Sequence, residues 1–181
     1  VDSEAKTRKQ RINPRLTAAG WSVRRFEHAF VGQPPSQSAV EEWPTTVGPA
    51  DYALCEAGSV LGIVEAKKLT IGAQGVLPQA ERYSRAIRSD TRYQGEFGVP
   101  FLYSTNGEEI WFHDVRQSLN RSRRVLGFHT PGALREQLDR DFDAEIAALR
   151  TFRCTRVFGR TRSRPTPRSK RPSRIGNARC W

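Results

Sequence analysis

Runs of apolar residues at two-residue and helical periods divide this chain into recognisable elements. Residues 51–55 (DYALC) and 60–67 (VLGIVEAK) flank Ala57, Gly58 and Ser59, a pattern that predicts an antiparallel hairpin closed by a three-residue loop. In that register Ala53 faces Ile63, Cys55 faces Leu61 and Asp51 faces Glu65. The period of two then puts Ile63, Glu65 and Lys67 on one face and Val64 and Ala66 on the other. Asn106-Gly107, between 100–105 and 109–113, is the strongest local signal for a second hairpin. Residues 23–30 are compatible with another strand, whereas 31–48, rich in Pro, Gly, Ser and Gln, reads as a connection.

Helical periods lie between these segments. Ser3 can cap a first helix, which Pro14 separates or restarts and Gly20 ends before Trp21. Leu77, Ala80, Tyr83, Ser84 and Ile87 recur at intervals of three and four, predicting a helix to about residue 89 that sets Gln79 and Tyr83 one turn apart. Thr130-Pro131 caps a last helix, with Leu134, Leu138, Phe142, Ile146 and Leu149 on one stripe. This order predicts an α/β fold in which a mixed β-sheet is covered on its faces by helices.

Composition narrows the class. With 181 residues, 37% of them hydrophobic, the chain has room for one or at most two small domains. The sequence contains no apolar run of membrane-spanning length and no signal peptide at its start, so a soluble, cytoplasmic protein without a membrane partner is expected. The opening Val points to processing or trimming. Cys55, Cys154 and Cys180 cannot close a disulfide framework, and their spacing does not suit structural zinc. His28, His113 and His129 stand alone in sequence and are expected to serve packing, turn or surface roles.

The net charge of +11 is distributed unevenly. Residues 151–181 carry ten Lys or Arg and no acid, whereas 1–150 carry 20 basic and 19 acidic residues. A nearly neutral folded domain over 1–150 and a basic, flexible tail or truncated linker over 151–181 are therefore expected. Such a tail suits a backbone-binding arm or a plain linker, and charge does not separate the two.

The chemistry concentrates in GPADYALCEAGSVLGIVEAKK. Carboxylates facing one another on paired strands stand roughly 4.5–5.5 Å apart at Cβ, close enough to share a cation. Asp51 and Glu65, with the Ala66 carbonyl as a further oxygen, suit a hard ion such as Mg²⁺. Lys67 adds a positive charge that could orient or deprotonate water, or bind a phosphate. The bland alternative is a turn carboxylate and a solvated strand surface. Against it, Leu61, Ile63 and Val64 make the strand apolar up to Glu65, and charges ending such a strand require partners, water or metal.

These residues carry a resemblance. Asp51 in GPADYALC, Glu65 and Lys67 in IVEAKK, and Gln79 and Tyr83 in QAERY resemble the motifs of the N-terminal nuclease domain of type I restriction endonuclease motor subunits, in the PD-(D/E)xK and RecB-like group. SEAKTRKQRINPRLTAAGW resembles the opening helix of that domain and FLYSTNGEEIWFHD its later hairpin, so the likeness runs over most of residues 3–150. It implies a restriction-endonuclease-like fold and Mg²⁺-dependent cleavage of DNA by Asp51, Glu65 and Lys67. It also implies accessory roles for Gln79, Tyr83 and, by a weaker match, Glu4. Partners implied are DNA, specificity and methyltransferase subunits, and a translocase motor. The chain has no GxxxxGK[ST] and no room for a motor, so no ATPase is expected within it. A non-catalytic nucleic-acid-binding or assembly module using the Arg-rich tail is the competing expectation, and an enzyme acting on another phosphate ester a third.

Overall fold

The computed structural model describes residues 4–67, 77–87, 96–141 and 144–149. The elements run α1 (Glu4–Thr7), a π-helical turn (Arg8–Ile12), α2 (Asn13–Ala18), β1 (Ser22–Arg25), a 3-10 turn (His28–Phe30), β2 (Ser38–Trp43), β3 (Ala50–Glu56), β4 (Ser59–Ala66), α3 (Leu77–Ala86), β5 (Phe101–Thr105), β6 (Ile110–Asp114), β7 (Arg123–Val125) and α4 (Pro131–Asp139). One seven-stranded sheet joins β1 to β7 in sequence order. It is mixed: β1–β2 and β4–β5 are parallel, and the other neighbours are antiparallel. Apolar residues cover both faces. Tyr52, Leu54, Val64, Phe101, Tyr103 and Phe112 pack with Ile12 and Leu16 of the first helical segment and Leu134 of α4. Val40, Ala53, Ile63 and Leu102 pack on the other face with Ala80 of α3 and Ile87. The expected α/β sheet flanked by helices is present.

The first helical segment changes pitch instead of stopping at Pro14. Proline cannot donate a backbone hydrogen bond and crowds the carbonyl four residues before it, here Gln10, which lies within the π turn that widens the helix. Gly20, at φ 90°, then closes α2: the Gly20 N–H donates to Thr17 O and the Trp21 N–H to Leu16 O, the paired bonds of a Schellman ending.

Several expectations are corrected. The strand expected over 23–30 is β1 alone, followed by the 3-10 turn. The connection expected over 31–48 contains β2, held between β1 and β3. Its acidic end, Glu41-Glu42, hides the strand pattern, and Pro34-Pro35 precedes it. The last helix breaks at Arg140, where ψ is 127°, so Ile146 and Leu149 do not extend the Leu134 stripe and are exposed. The hairpin loop is shorter than expected. Ala57 (φ 49°) and Gly58 (φ 78°) form a two-residue turn with both φ values positive, as type I′ geometry requires. A bulge at Leu54/Cys55 follows, so Cys55 faces Val60 rather than Leu61, while Ala53–Ile63 keeps its expected register.

The chain divides into two units, Val1–Arg140 and Asp141–Trp181. All the named strands and helices lie in the first; in the second, residues 144–149 are helical with exposed side chains. Helix α3 ends at Ala86, with Ile87 already outside it, short of the end expected near 89; Ser3, Phe142 and the basic segment 151–181 lie outside the described residues. Among the described residues no helix is long and apolar enough to cross a membrane.

Candidate functional site

The β3–β4 hairpin brings three of the sequence-selected side chains to one end of the sheet. Residues at alternate positions share a face, so Asp51 lies on the face of Ala53, and Glu65 and Lys67 on that of Ile63. Asp51 Oδ2 accepts a 2.7 Å hydrogen bond from the backbone N–H of Ala66, the residue between Glu65 and Lys67. Lys67 Nζ donates to Glu65 Oε1 at 2.9 Å. Glu65 is almost completely buried, with its side chain 3% exposed, while Asp51 and Lys67 keep 18% and 19% of theirs open to solvent. Glu65 is thus the most buried of the three, and Asp51 and Lys67 are partly accessible.

Neighbouring strands hold this end rigid. Glu65 pairs with Ser104 in β5, and the Lys67 N–H donates to Thr105 O at 2.9 Å, extending the parallel ladder past the end of β4. Thr105 Oγ1 donates to Glu109 O and accepts from the Gly107 N–H. Asn106 Oδ1 accepts from the N–H groups of Glu108 and Glu109. The Asn-Gly turn therefore fixes the backbone on which Lys67 ends.

Sequence reasoning missed two residues at the site. Arg8, in the π turn, donates through Nη1 both to Asp51 Oδ1 at 3.0 Å and to Glu42 Oε1. Burial works against its charge, but the bond to Glu42 and the fields of Asp51 and Glu42 outweigh it, so its pKa is raised. Glu42 lies in β2 at a positive φ of 55°. Only the intact β2–β3 register brings Glu42 beside Asp51, and β2 is the strand the sequence concealed. Tyr52 OH donates to Asn13 Oδ1 at 2.6 Å and ties β3 to α2; burial first, then Glu41, raises the Tyr52 pKa.

The remaining expected residues are dispersed. Gln79 and Tyr83 lie one turn apart in α3, both partly buried, and Tyr83 packs against the cluster that contains Ile63. Helix α3 thus covers the sheet face that carries Glu65. Glu4 opens α1, the segment that continues into Arg8. His113 stands 3.7 Å from Glu81, and Tyr103 OH lies within hydrogen-bond reach of His129 Nδ1. Burial pushes the Cys55 thiol up to about 12, so it is no nucleophile at neutral pH. Among the described residues no three His, Cys, Asp or Glu side chains group closely enough to hold a metal. A cation between Asp51 and Glu65 would rely on two carboxylates, carbonyl oxygen and water or substrate oxygens.

Fold and hairpin together define a restriction-endonuclease-like α/β protein. A profile of the "Type I restriction enzyme EcoKI endonuclease subunit second domain" family matches residues 22–138, and the chain belongs to that family. It is 29% identical, over 175 aligned residues, to the type I restriction enzyme EcoKI endonuclease subunit of Escherichia coli (strain K12), covering 70% of this chain and 15% of that protein. A solved fragment of a putative HsdR subunit of a type I restriction enzyme from Vibrio vulnificus YJ016 shares the fold, with a TM-score of 0.57 and 24% identity over 76% of this chain and 25% of that one. The chain therefore spans a minor part of the length of either.

Proposed function

We propose that this chain carries a Mg²⁺-dependent endonuclease centre of the PD-(D/E)xK kind, which hydrolyses DNA phosphodiesters within a type I restriction system. The observation that carries the reading is the bond from the Ala66 N–H to Asp51, made beside the Lys67–Glu65 pair, which gathers Asp51, Glu65, the Ala66 backbone and Lys67 at one strand end. Mg²⁺ favours this donor chemistry: it binds through one or two carboxylates and completes its shell with water and substrate phosphate oxygens. Asp51, Glu65 and the Ala66 carbonyl would hold the ion, which would polarise the phosphodiester and lower the pKa of a bound water.

The chain's own groups supply orientation and charge. Glu65, buried and held by Lys67, offers a carboxylate whose position changes little when substrate arrives. Lys67, anchored through its backbone to Thr105, directs its ammonium to the side on which Glu65 lies, where it can meet a scissile phosphate or steer water. Gln79 and Tyr83 support the site from α3, contacting DNA or positioning the hairpin, and Glu4 takes an accessory place at the start of the opening helix. The nuclease-like domain is proposed over residues 1–150, its site lying wholly in the compact unit Val1–Arg140, and 151–181 is a basic segment in sequence. Specificity and methyltransferase subunits and a translocase motor outside these residues deliver the DNA, in the cytoplasm.

The test is nicking of supercoiled DNA in Mg²⁺ by the parent chain, by Asp51→Ala and by Lys67→Ala at matched folding. Cleavage that disappears in both variants is expected. Equal residual cleavage in all three would remove Asp51 and Lys67 from the chemistry. Deleting residues 151–181 separates the competing binding-module reading: loss of salt-sensitive DNA binding, with no cleavage in any protein, would favour it.

A further inference from the structure

Arg8 holds one of the two Asp51 oxygens through which a cation would coordinate. The guanidinium takes Asp51 Oδ1, the carboxylate's other oxygen accepts from the Ala66 N–H, and the same Nη1 is shared with Glu42. A hard cation coordinated by Oδ1 must therefore displace Arg8 or share that atom with it, and two positive charges at one oxygen repel. The displaced side chain has somewhere to go. Beside it an open cleft of about 510 Å³ is lined by Arg8, Lys9 and Arg25, with Phe26, Glu41 and Glu42 on its remaining walls. Glu42, released from Arg8, stays in that wall, and the Glu41 carboxylate is already engaged by Asn13 Nδ2 at 3.3 Å. Arg8, Lys9 and Arg25 give the cleft three basic side chains of the type that contacts a phosphate backbone.

Resting on the proposed Mg²⁺ centre, we infer that Arg8 is a positioning residue that competes with the cation for Asp51 and, once displaced, turns to DNA phosphate in the cleft formed with Lys9 and Arg25. Arg8 thereby couples the two ligands. Metal binding frees a phosphate-binding group, and phosphate binding removes a competitor for the metal; by linkage each strengthens the other to the same degree.

Titration of the chain with Mn²⁺, followed by electron paramagnetic resonance, measures the competition without any reaction. Arg8→Gln is expected to bind Mn²⁺ ~10-fold more tightly than the parent, the scale of one charge-assisted hydrogen bond removed from the competing state. Arg8→Lys, which keeps the charge, should stay near the parent. In Ca²⁺, DNA affinity should fall in Arg8→Gln. In the unsubstituted protein, Mg²⁺ titration should shift the Arg8 guanidinium NMR resonances, a readout independent of how well any variant folds. Unchanged or weaker Mn²⁺ binding in Arg8→Gln, or stationary Arg8 resonances, would overturn the inference while Asp51→Asn still abolished Mn²⁺ binding. Parent Mn²⁺ binding that Asp51→Asn leaves untouched would overturn the metal centre and this inference with it.

Discussion

Two acidic residues at strand ends, Asp51 in β3 and Asp114 in β6, are each paired with an arginine but differ in burial, with 18% and 6% of their side chains exposed. Asp114 is locked by local partners. Its Oδ1 accepts from the N–H and Nε of Arg116, and its Oδ2 from Arg116 Nη2 and Gln137 Nε2, at 2.8–3.1 Å. Arg116 is itself committed, donating to Leu138 O at 2.9 Å with its guanidinium 5.1 Å from the Phe101 ring centre. The pair pins α4 to the sheet. Asp51 instead meets a guanidinium 43 residues away in sequence, and that guanidinium is divided between two carboxylates beside an open cleft. Burial of a carboxylate does not by itself mark a reactive site; what the cationic partner is tied to separates a strut from a centre that can exchange its counter-ion.

Substitutions should pull these roles apart. Lys67→Ala should lower DNA cleavage per folded molecule by ~10²–10⁴-fold, the range for a positioned acid–base or charge-stabilising group, and should also lower stability, because the buried Glu65 carboxylate loses its ammonium partner. Asp114→Ala should lower stability alone. Leaving Arg116 charged and without its buried partner should cost ~3–5 kcal/mol in denaturant unfolding, with cleavage per folded molecule unchanged. A large loss of cleavage per folded molecule in Asp114→Ala would erase the distinction.

Two smaller effects sharpen the Asp114 side. Thr130 Oγ1 accepts from the Ala133 N–H and caps α4, so Thr130→Ala should cost ~1 kcal/mol in the same unfolding measurement. One residue earlier, burial first and Arg123 second lower the His129 pKa, and its Nδ1 shares a hydrogen bond with the Tyr103 hydroxyl. Between the lowered folded value and the ordinary unfolded value near 6.5 the unfolded chain binds more protons, so stability should fall as pH drops through that window. Melting temperature against pH, compared between parent and His129→Gln, reads this directly: the parent should show the steeper acid loss.

What the sequence disclosed follows from how local each signal is. The Ala53–Ile63 register, the Asn106-Gly107 hairpin and the Thr130 cap depend on neighbours within one hairpin or turn, and each is present. The site hairpin's exact turn escaped because Ala57 adopts a left-handed conformation that alanine seldom takes, and the resulting bulge shifts Cys55 by one partner. Strand β2 escaped because its charged end and its proline-rich approach mask the apolar core Ala39-Val40. The last stripe misled in the other direction: a helical period persists in sequence across Arg140 although the helix does not. The gathering of Asp51, Glu65 and Lys67 was legible because strand pairing brings them together. Arg8 and Glu42 were not, since one lies in a run of basic residues and the other in the hidden strand, and only the tertiary fold sets them against Asp51.

The most direct test of the metal centre is a crystal structure of this chain soaked with Mn²⁺, with data collected at the manganese edge. An anomalous peak is expected within ~2.2 Å of carboxylate oxygens from both Asp51 and Glu65, facing the Ala66 carbonyl, with Arg8 withdrawn from Asp51. Well-ordered carboxylates at saturating Mn²⁺ with no peak between them, or a peak bound elsewhere, would contradict it.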